Sequence, residues 1–129
     1  LDRIDIQVEM PSLSYGEIAG EEPERGESSA VIRARGNEAR LLAHRRYERE
    51  KKLYCNAALT SAQIRKYCKT DSAAAALLKK AFDGLSARGY DRILRVARTI
   101  ADLSGSEEIL APHIAEAIQF RSLDRKYWT

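Results

Sequence analysis

Hydrophobic residues recur along this chain with two different periods. Residues 3–10 alternate between apolar and polar positions, a pattern typical of a β-strand that is buried on one side. The apolar face consists of Ile4, Ile6, Val8 and Met10. Pro11 ends the pattern, because proline has no N–H to donate to a neighbouring strand. The rest of the sequence holds no second convincing strand, so we expect the partners of this strand to lie in a sheet outside these residues.

From residue 28 onward the apolar spacing is helical. Residues 11–27 are rich in glycine, proline and acidic residues and are predicted to form a loop. A long, arginine-rich helix is predicted over 28–52, and a short helix follows a turn at 56–59. Three amphipathic helices are predicted within 71–120, and the middle one spans 88–103.

Start and stop signals support these helices. The candidate N-caps are Ser28 or Ser29, Thr60 in a capping box with Gln63, Thr70 or Asp71, and Ser86. Gly105 occupies a typical C′ position, and Pro112 suits a first helical turn. The apolar faces of the three amphipathic helices are Ala73, Ala74, Leu77, Leu78, Ala81, Phe82 and Leu85; Ile93, Leu94, Ala97, Ile100 and Ala101; and Ile114, Ala117, Ile118 and Phe120.

The predicted fold class is therefore mainly α, a helical bundle with one N-terminal strand. We divide the chain into residues 1–27, a strand with its connecting loop, and residues 28–129, a helical domain. The 129 residues, of which 44% are hydrophobic and 32% charged, suffice for one domain with a core. No apolar run approaches the roughly 18–20 residues of a membrane span, so no membrane association is expected.

Histidine and cysteine give little support for a metal site. Cys55 and Cys68 form no CxxC motif, and His44 and His113 fall on separate predicted helices. Two isolated cysteines without a secretory signal suggest a reducing, cytoplasmic setting. Because the first residue is Leu, we expect the chain to be part of a longer protein.

Charge is segregated along the sequence. Residues 1–32 carry a balance of −6, residues 33–69 a balance of +8, and residues 70–129 a balance of +1. The basic middle has two interpretations. It is either a surface for nucleic acid or phosphate, or the solvated side of a long helix that pairs with the acidic segment.

Arginines are the candidates for chemistry. The sequence has no phosphate-binding loop and no serine–histidine–acid grouping, so these residues alone are not expected to be an enzyme. Arg88, Arg92 and Arg95 share one helix face at i, i+4 and i+7. A cation in the first turn of a helix is unfavourable, so Arg88 calls for an anionic ligand or a nearby acid such as Asp83 or Asp91. Solvation, or pairing with acids, is the alternative for all three arginines.

Several segments resemble one family, the magnesium-chelatase-like AAA+ ATPases of the ComM/YifB group. The resemblance lies in LDRIDIQVEMP (1–11), GESSAVIRAR (26–35), NAALTSAQIRKYC (56–68), SARGYDRILRVARTIADLSGSEEI (86–109) and HIAEAIQFRSLDRKYW (113–128). It covers nearly the whole chain and implies that residues 28–129 are a lid-type domain of an AAA+ ATPase.

The resemblance also implies roles for two arginines. Arg3 matches the arginine finger, which reaches the γ-phosphate of ATP bound by the neighbouring subunit. Arg88 matches sensor 2, an arginine at the start of the lid helix. Arg92 and Arg95 are expected to be structural. ATP and Mg²⁺ would be bound by the full-length parent and not by these residues alone, since the Walker A and Walker B motifs would lie upstream.

The implied function is a motor. The resemblance favours a homo-hexameric ATPase that acts as a DNA helicase in branch migration during natural transformation, with neighbouring subunits and DNA as partners. The alternatives are a stand-alone DNA-binding module that uses the 33–52 helix and a protein-interaction module.

Overall fold

The structure, a computed structural model, describes residues 3–20 and 26–121. Its helices are α1 (Tyr15–Ala19), α2 (Ser29–Arg46), α3 (Ser61–Tyr67), α4 (Ser72–Ala81), α5 (Ala87–Leu103) and α6 (Ala111–Gln119). Short 3₁₀ turns lie at Asn56–Ala58 and Phe82–Gly84. The described residues contain no sheet, so the prediction of a mainly α fold is confirmed.

Helix α5 is the centre of the bundle. It packs against α6 and α2, and α4 packs against α6. All five residues predicted for the apolar face of α5 are buried, and Ile114 and Ala117 of α6 are buried as well. In α4 the buried residues are Ala74 and Leu78. An isolated parallel bridge between Thr70 and Ile109 ties the α3–α4 connection to the α5–α6 connection.

The predicted caps place the helix ends. The hydroxyl of Ser28 accepts a hydrogen bond from the Val31 amide, and Thr60 with Gln63 forms the expected capping box. Asp71 and Ser86 cap α4 and α5 in the same way. Gly105 follows α5 with φ of +70°, a conformation that glycine adopts at little cost.

The structure assigns no strand to residues 3–10, and the sheet in which we expect the partners of this strand lies outside these residues. An isolated strand needs a partner for its backbone groups, and the described chain supplies none. The segment is instead attached to α5 and α6 through its polar side, and the amide of Gln7 donates to the carbonyl of Phe120 at 2.7 Å. The apolar side chains of the alternating pattern are exposed: Ile4, Ile6, Val8 and Met10.

Three other expectations need correction. The predicted loop over 11–27 contains the short helix α1, which the glycine and small residues of this segment did not indicate. Helix α2 ends at Arg46 and not at 52, because the chain turns at Tyr47 and reaches a positive φ at Lys52. Phe82 is 53% exposed and does not join the core.

Some predictions concern residues outside the described ranges. These are the first two residues of the predicted N-terminal segment, part of the acidic loop at 21–25, and the end of the helical domain at 122–129. Within the described residues, no helix is long and apolar enough to cross a membrane. The same ranges contain no group of three or more His, Cys, Asp or Glu that could hold a metal ion.

Candidate functional site

Arg88 lies in the first turn of α5 and its side chain is exposed. The helix begins one residue earlier, and its N-cap Ser86 accepts a hydrogen bond from the amide of Gly89 at 3.0 Å. The first turn holds no acidic residue. The Arg88 guanidinium therefore adds a positive charge to the positive end of the helix dipole, an arrangement that an anion would stabilise.

Neither of the acids proposed as an internal partner neutralises Arg88. Asp91 accepts a hydrogen bond from the hydroxyl of Ser61 at 2.7 Å, and Asp83 is exposed. Among the residues that the structure describes, none forms a hydrogen bond or ion pair with the Arg88 side chain.

The other three arginines of α5 are bound within the fold. Arg92 pairs with Asp5, and both the Nε and an Nη of Arg95 donate to the carbonyl of Leu59 at 3.0 and 2.8 Å. Arg98 is 2% exposed and donates to three backbone carbonyls, those of Tyr67, Ser106 and Glu107. These contacts agree with the expectation that Arg92 and Arg95 are structural.

Arg3 is also exposed. The ion pair between Asp5 and Arg92 attaches the N-terminal segment to α5. Arg3 is two residues before Asp5, and Arg88 is four residues, about 6 Å along the helix, before Arg92. A second attachment nearby joins an Nη of Arg121 to the carbonyl of Ile4 at 2.8 Å.

A buried polar network, which the sequence patterns did not predict, lies at the opposite end of α5 from Arg88. Asp102 lies in α5 with a side chain that is 1% exposed, and it forms ion pairs with Arg46 and Arg98. The amide group of Asn56 donates to Asp102 and Thr99, both at 3.0 Å. One network thus joins α2, the Asn56 turn and α5.

Electrostatics in the network follow from burial and from the shared carboxylate. Burial lowers the pKa of Arg46, but its hydrogen bonds to Asp102 and Tyr47 and the charge of Asp102 outweigh burial, so the pKa is raised overall. Burial and the charge of Arg46 lower the pKa of Arg98. Asp102 is therefore needed to neutralise two buried or half-buried guanidinium groups.

The sequence contained one signal for this network. Arg98 and Asp102 stand four residues apart inside the apolar stripe of α5, where two charges are tolerated only if they pair. Nothing in the sequence singled out Arg46 from the many cations of α2. Nothing in the sequence identified Asn56 as the residue that links Arg46 and Asp102.

Residues 26–121 match the family model described as magnesium chelatase, subunit ChlI C-terminal. The chain belongs to this family of ChlI C-terminal domains. The resemblance drawn from the sequence is therefore confirmed at the level of the family.

Individual relatives extend the comparison. This ChlI C-terminal domain is 41% identical over 127 residues to competence protein ComM of Haemophilus influenzae and, at the same identity and length, to YifB of Escherichia coli. It is 37% identical over 123 residues to Rv2897c of Mycobacterium tuberculosis. These matches cover 97%, 97% and 94% of the chain but 24% of each relative. The chain thus spans about a quarter of the length of the relatives it matches.

Proposed function

We propose that this domain is the lid of a magnesium chelatase-like AAA+ ATPase, in which Arg88 binds the phosphates of ATP and Arg3 is the arginine finger. The observation that carries the proposal is the contrast within α5. Three of its four arginines are held by internal contacts, whereas Arg88 is exposed at the positive helix end. A nucleotide phosphate would supply the negative charge that this position lacks.

Arg88 is suited to this role by its chemistry. A guanidinium is always charged and offers a planar set of donors that matches phosphate oxygens. The cap at Ser86 and the buried positions that follow at Gly89 and Ile93 anchor the start of α5 to the core, and the guanidinium extends from this anchored turn. Arg88 would accordingly orient the phosphates and stabilise their charge.

Arg3 would act on ATP bound by a neighbouring subunit. It follows that the assembly is a ring, which we propose to be a homo-hexamer. An arginine finger stabilises the charge that develops on the transferring phosphoryl group, and such residues contribute about 10³–10⁵ to kcat. ATP and Mg²⁺ would be held by the phosphate-binding motifs of an ATPase core, which these 129 residues do not contain.

The process that ATP hydrolysis would drive is proposed from the name of one relative. One of the matched proteins is named a competence protein, and we propose that the ATPase containing this domain is a DNA helicase or branch-migration factor of the ComM type. The domain would then work in the cytoplasm, the compartment that its two isolated cysteines also suggest.

The test is steady-state ATP hydrolysis by the complete ATPase that carries this domain. We expect Arg88→Ala to lower kcat/KM by at least about tenfold, the equivalent of one charge-assisted hydrogen bond. Arg88→Lys should recover part of the activity, because lysine keeps the positive charge but lacks the planar set of donors of the guanidinium. Lys80→Ala, which removes an exposed cation of α4, is the matched control and should be unaffected. Wild-type turnover in Arg88→Ala would refute the assignment.

Arg3 needs a separate experiment. Arg3→Ala should lower kcat by about 10³-fold or more with little change in ATP affinity. Subunits carrying Arg3→Ala, when mixed with subunits inactivated in their own phosphate-binding loop, should regain activity, because each supplies what the other lacks. Mixing that restores nothing would exclude action between subunits.

A further inference from the structure

Helix α2 carries a polar stripe that takes no part in the internal packing of the bundle. Arg33, Asn37, Arg40 and His44 are spaced at i, i+4, i+7 and i+11, which places them on one face of the helix. All four are exposed. Within the described part of the chain, no hydrogen bond or ion pair joins the side chain of any of them to another residue.

The stripe begins in a part of α2 that buries no residue in the core. The buried residues of α2 are Ala39 and Ala43, both in its second half, so its first ten residues contribute none. From Arg33 to His44 the stripe rises about 16 Å. Within the described residues, the polar face of α2 is therefore exposed at Arg33, Asn37, Arg40 and His44, where an extended ligand could lie.

The charge of this region is strongly positive. Residues 28–55 contain eight Arg and Lys against three Glu. One ion pair joins α2 to the acidic segment, between Arg35 and Glu27, and Arg35 lies on a different face of the helix from the stripe. The stripe itself contains no acid. The ligand that complements it is therefore an extended polyanion.

An aromatic side chain lies at the end of the stripe. His44 lines a cavity of about 320 Å³ together with Arg45 and Tyr54. Tyr54 is 64% exposed, so most of its side chain is accessible from solvent. Exposed aromatic rings beside a cationic track are the features that bind single-stranded nucleic acids, in which bases are free to stack.

We propose that this stripe and the Tyr54 cavity form a binding surface for single-stranded DNA. The phosphates would lie along Arg33, Arg40 and His44, and a base would stack on Tyr54. A duplex is disfavoured, since its bases are stacked already and would leave Tyr54 without a partner. The choice of DNA over RNA rests on the proposed function, whereas the choice of a single strand rests on the structure.

The test is fluorescence anisotropy of a labelled DNA strand of about 15 nucleotides, titrated with the chain in the absence of ATP. We expect Arg33→Ala/Arg40→Ala to weaken binding and to reduce the slope of log K against log salt by about 1.4, or 0.7 for each phosphate that is no longer neutralised. The matched control is Lys79→Ala/Lys80→Ala, which removes two exposed cations from α4 and should leave the slope unchanged. Tyr54→Ala should weaken binding by about fivefold or more, while Tyr54→Phe should not, because it keeps the ring.

The outcomes separate this surface from the ATPase proposal. Arg88→Ala should bind the strand as the wild type does, since Arg88 is not part of the stripe. Absence of binding at low salt, equal weakening in the two double variants, or tighter binding of a duplex or an RNA strand of the same length would overturn the proposal. Normal ATP turnover in Arg88→Ala would refute the sensor assignment and leave the binding surface standing.

Discussion

Asp102 should be the most sensitive charged residue of the domain. Its carboxylate, which is 1% exposed, neutralises Arg46 and Arg98, whose side chains are 17% and 2% exposed. Asp102→Ala would leave both guanidinium groups without a counter-charge, and it would also remove a hydrogen-bond acceptor of Asn56.

The expected cost follows from burial. Removing one partner of a buried ion pair typically costs about 3–5 kcal/mol, because the remaining charge is left unpaired in a medium of low polarity. Domains have a total free energy of unfolding of about 5–15 kcal/mol, so the variant should lose a large part of its stability. The midpoint of thermal unfolding should fall by about 10 °C or more.

The assay is urea unfolding monitored by circular dichroism at two salt concentrations. A buried pair is screened little by salt, so the destabilisation should be similar at low and at high ionic strength. Asp83→Ala, which removes an exposed acid, should change stability by no more than about 0.5 kcal/mol. Arg46→Ala should be non-additive with Asp102→Ala in a double-mutant cycle. A destabilisation below about 1 kcal/mol in Asp102→Ala, or fully additive effects, would refute the network as described.

Three further predictions concern other residues. Arg88→Ala should raise the free energy of unfolding of the isolated chain by about 0.3–1 kcal/mol, since it removes a cation from a helix N-terminus; urea unfolding that shows a decrease would contradict this. Cys55 should react readily with a thiol reagent, whereas Cys68 should react slowly until unfolding, because burial raises the pKa of its thiol to about 11; equal rates would contradict the burial. The hydrogen bond from Tyr67, together with Lys66, lowers the pKa of Glu50. The ionised Glu50 should therefore stabilise the fold fully above pH 4.5, the pKa in the unfolded chain, and this stabilisation should be lost as the pH falls through the lowered pKa of the folded state. Urea unfolding against pH should show this dependence in the wild type and not in Glu50→Gln.

The helical part of the fold could be predicted because local signals agree with it. Each of the caps at Ser28, Thr60, Asp71 and Ser86 satisfies an amide within three residues, so its position in the sequence suffices to place it. The apolar face of α5 is equally local, since its period alone determines which residues turn inward.

The features that sequence patterns missed depend on long-range partners. Alternation at residues 3–10 describes a surface that suits a strand, but a strand forms only where another strand supplies hydrogen bonds. The network of Arg46, Asn56 and Asp102 joins residues up to 56 positions apart, so no local window contains it.

For the candidate site, the sequence pointed to Arg88 by its place in the helix. It could not show that the neighbouring Arg92, Arg95 and Arg98 are occupied by the fold, because their partners lie on other elements or in loops. With those three arginines bound internally, Arg88 is the cation of α5 that remains available to an anion.

Contact between Arg88 and the phosphates of ATP is the interaction on which the proposed function depends. The most direct test is an experimental structure of the complete ATPase ring with a non-hydrolysable ATP analogue. We predict an Nη atom of Arg88 about 2.7–2.9 Å from a phosphate oxygen, the range of charge-assisted hydrogen bonds. A guanidinium more than about 6 Å from every phosphate, beyond the reach of a direct charge interaction, would contradict the proposal.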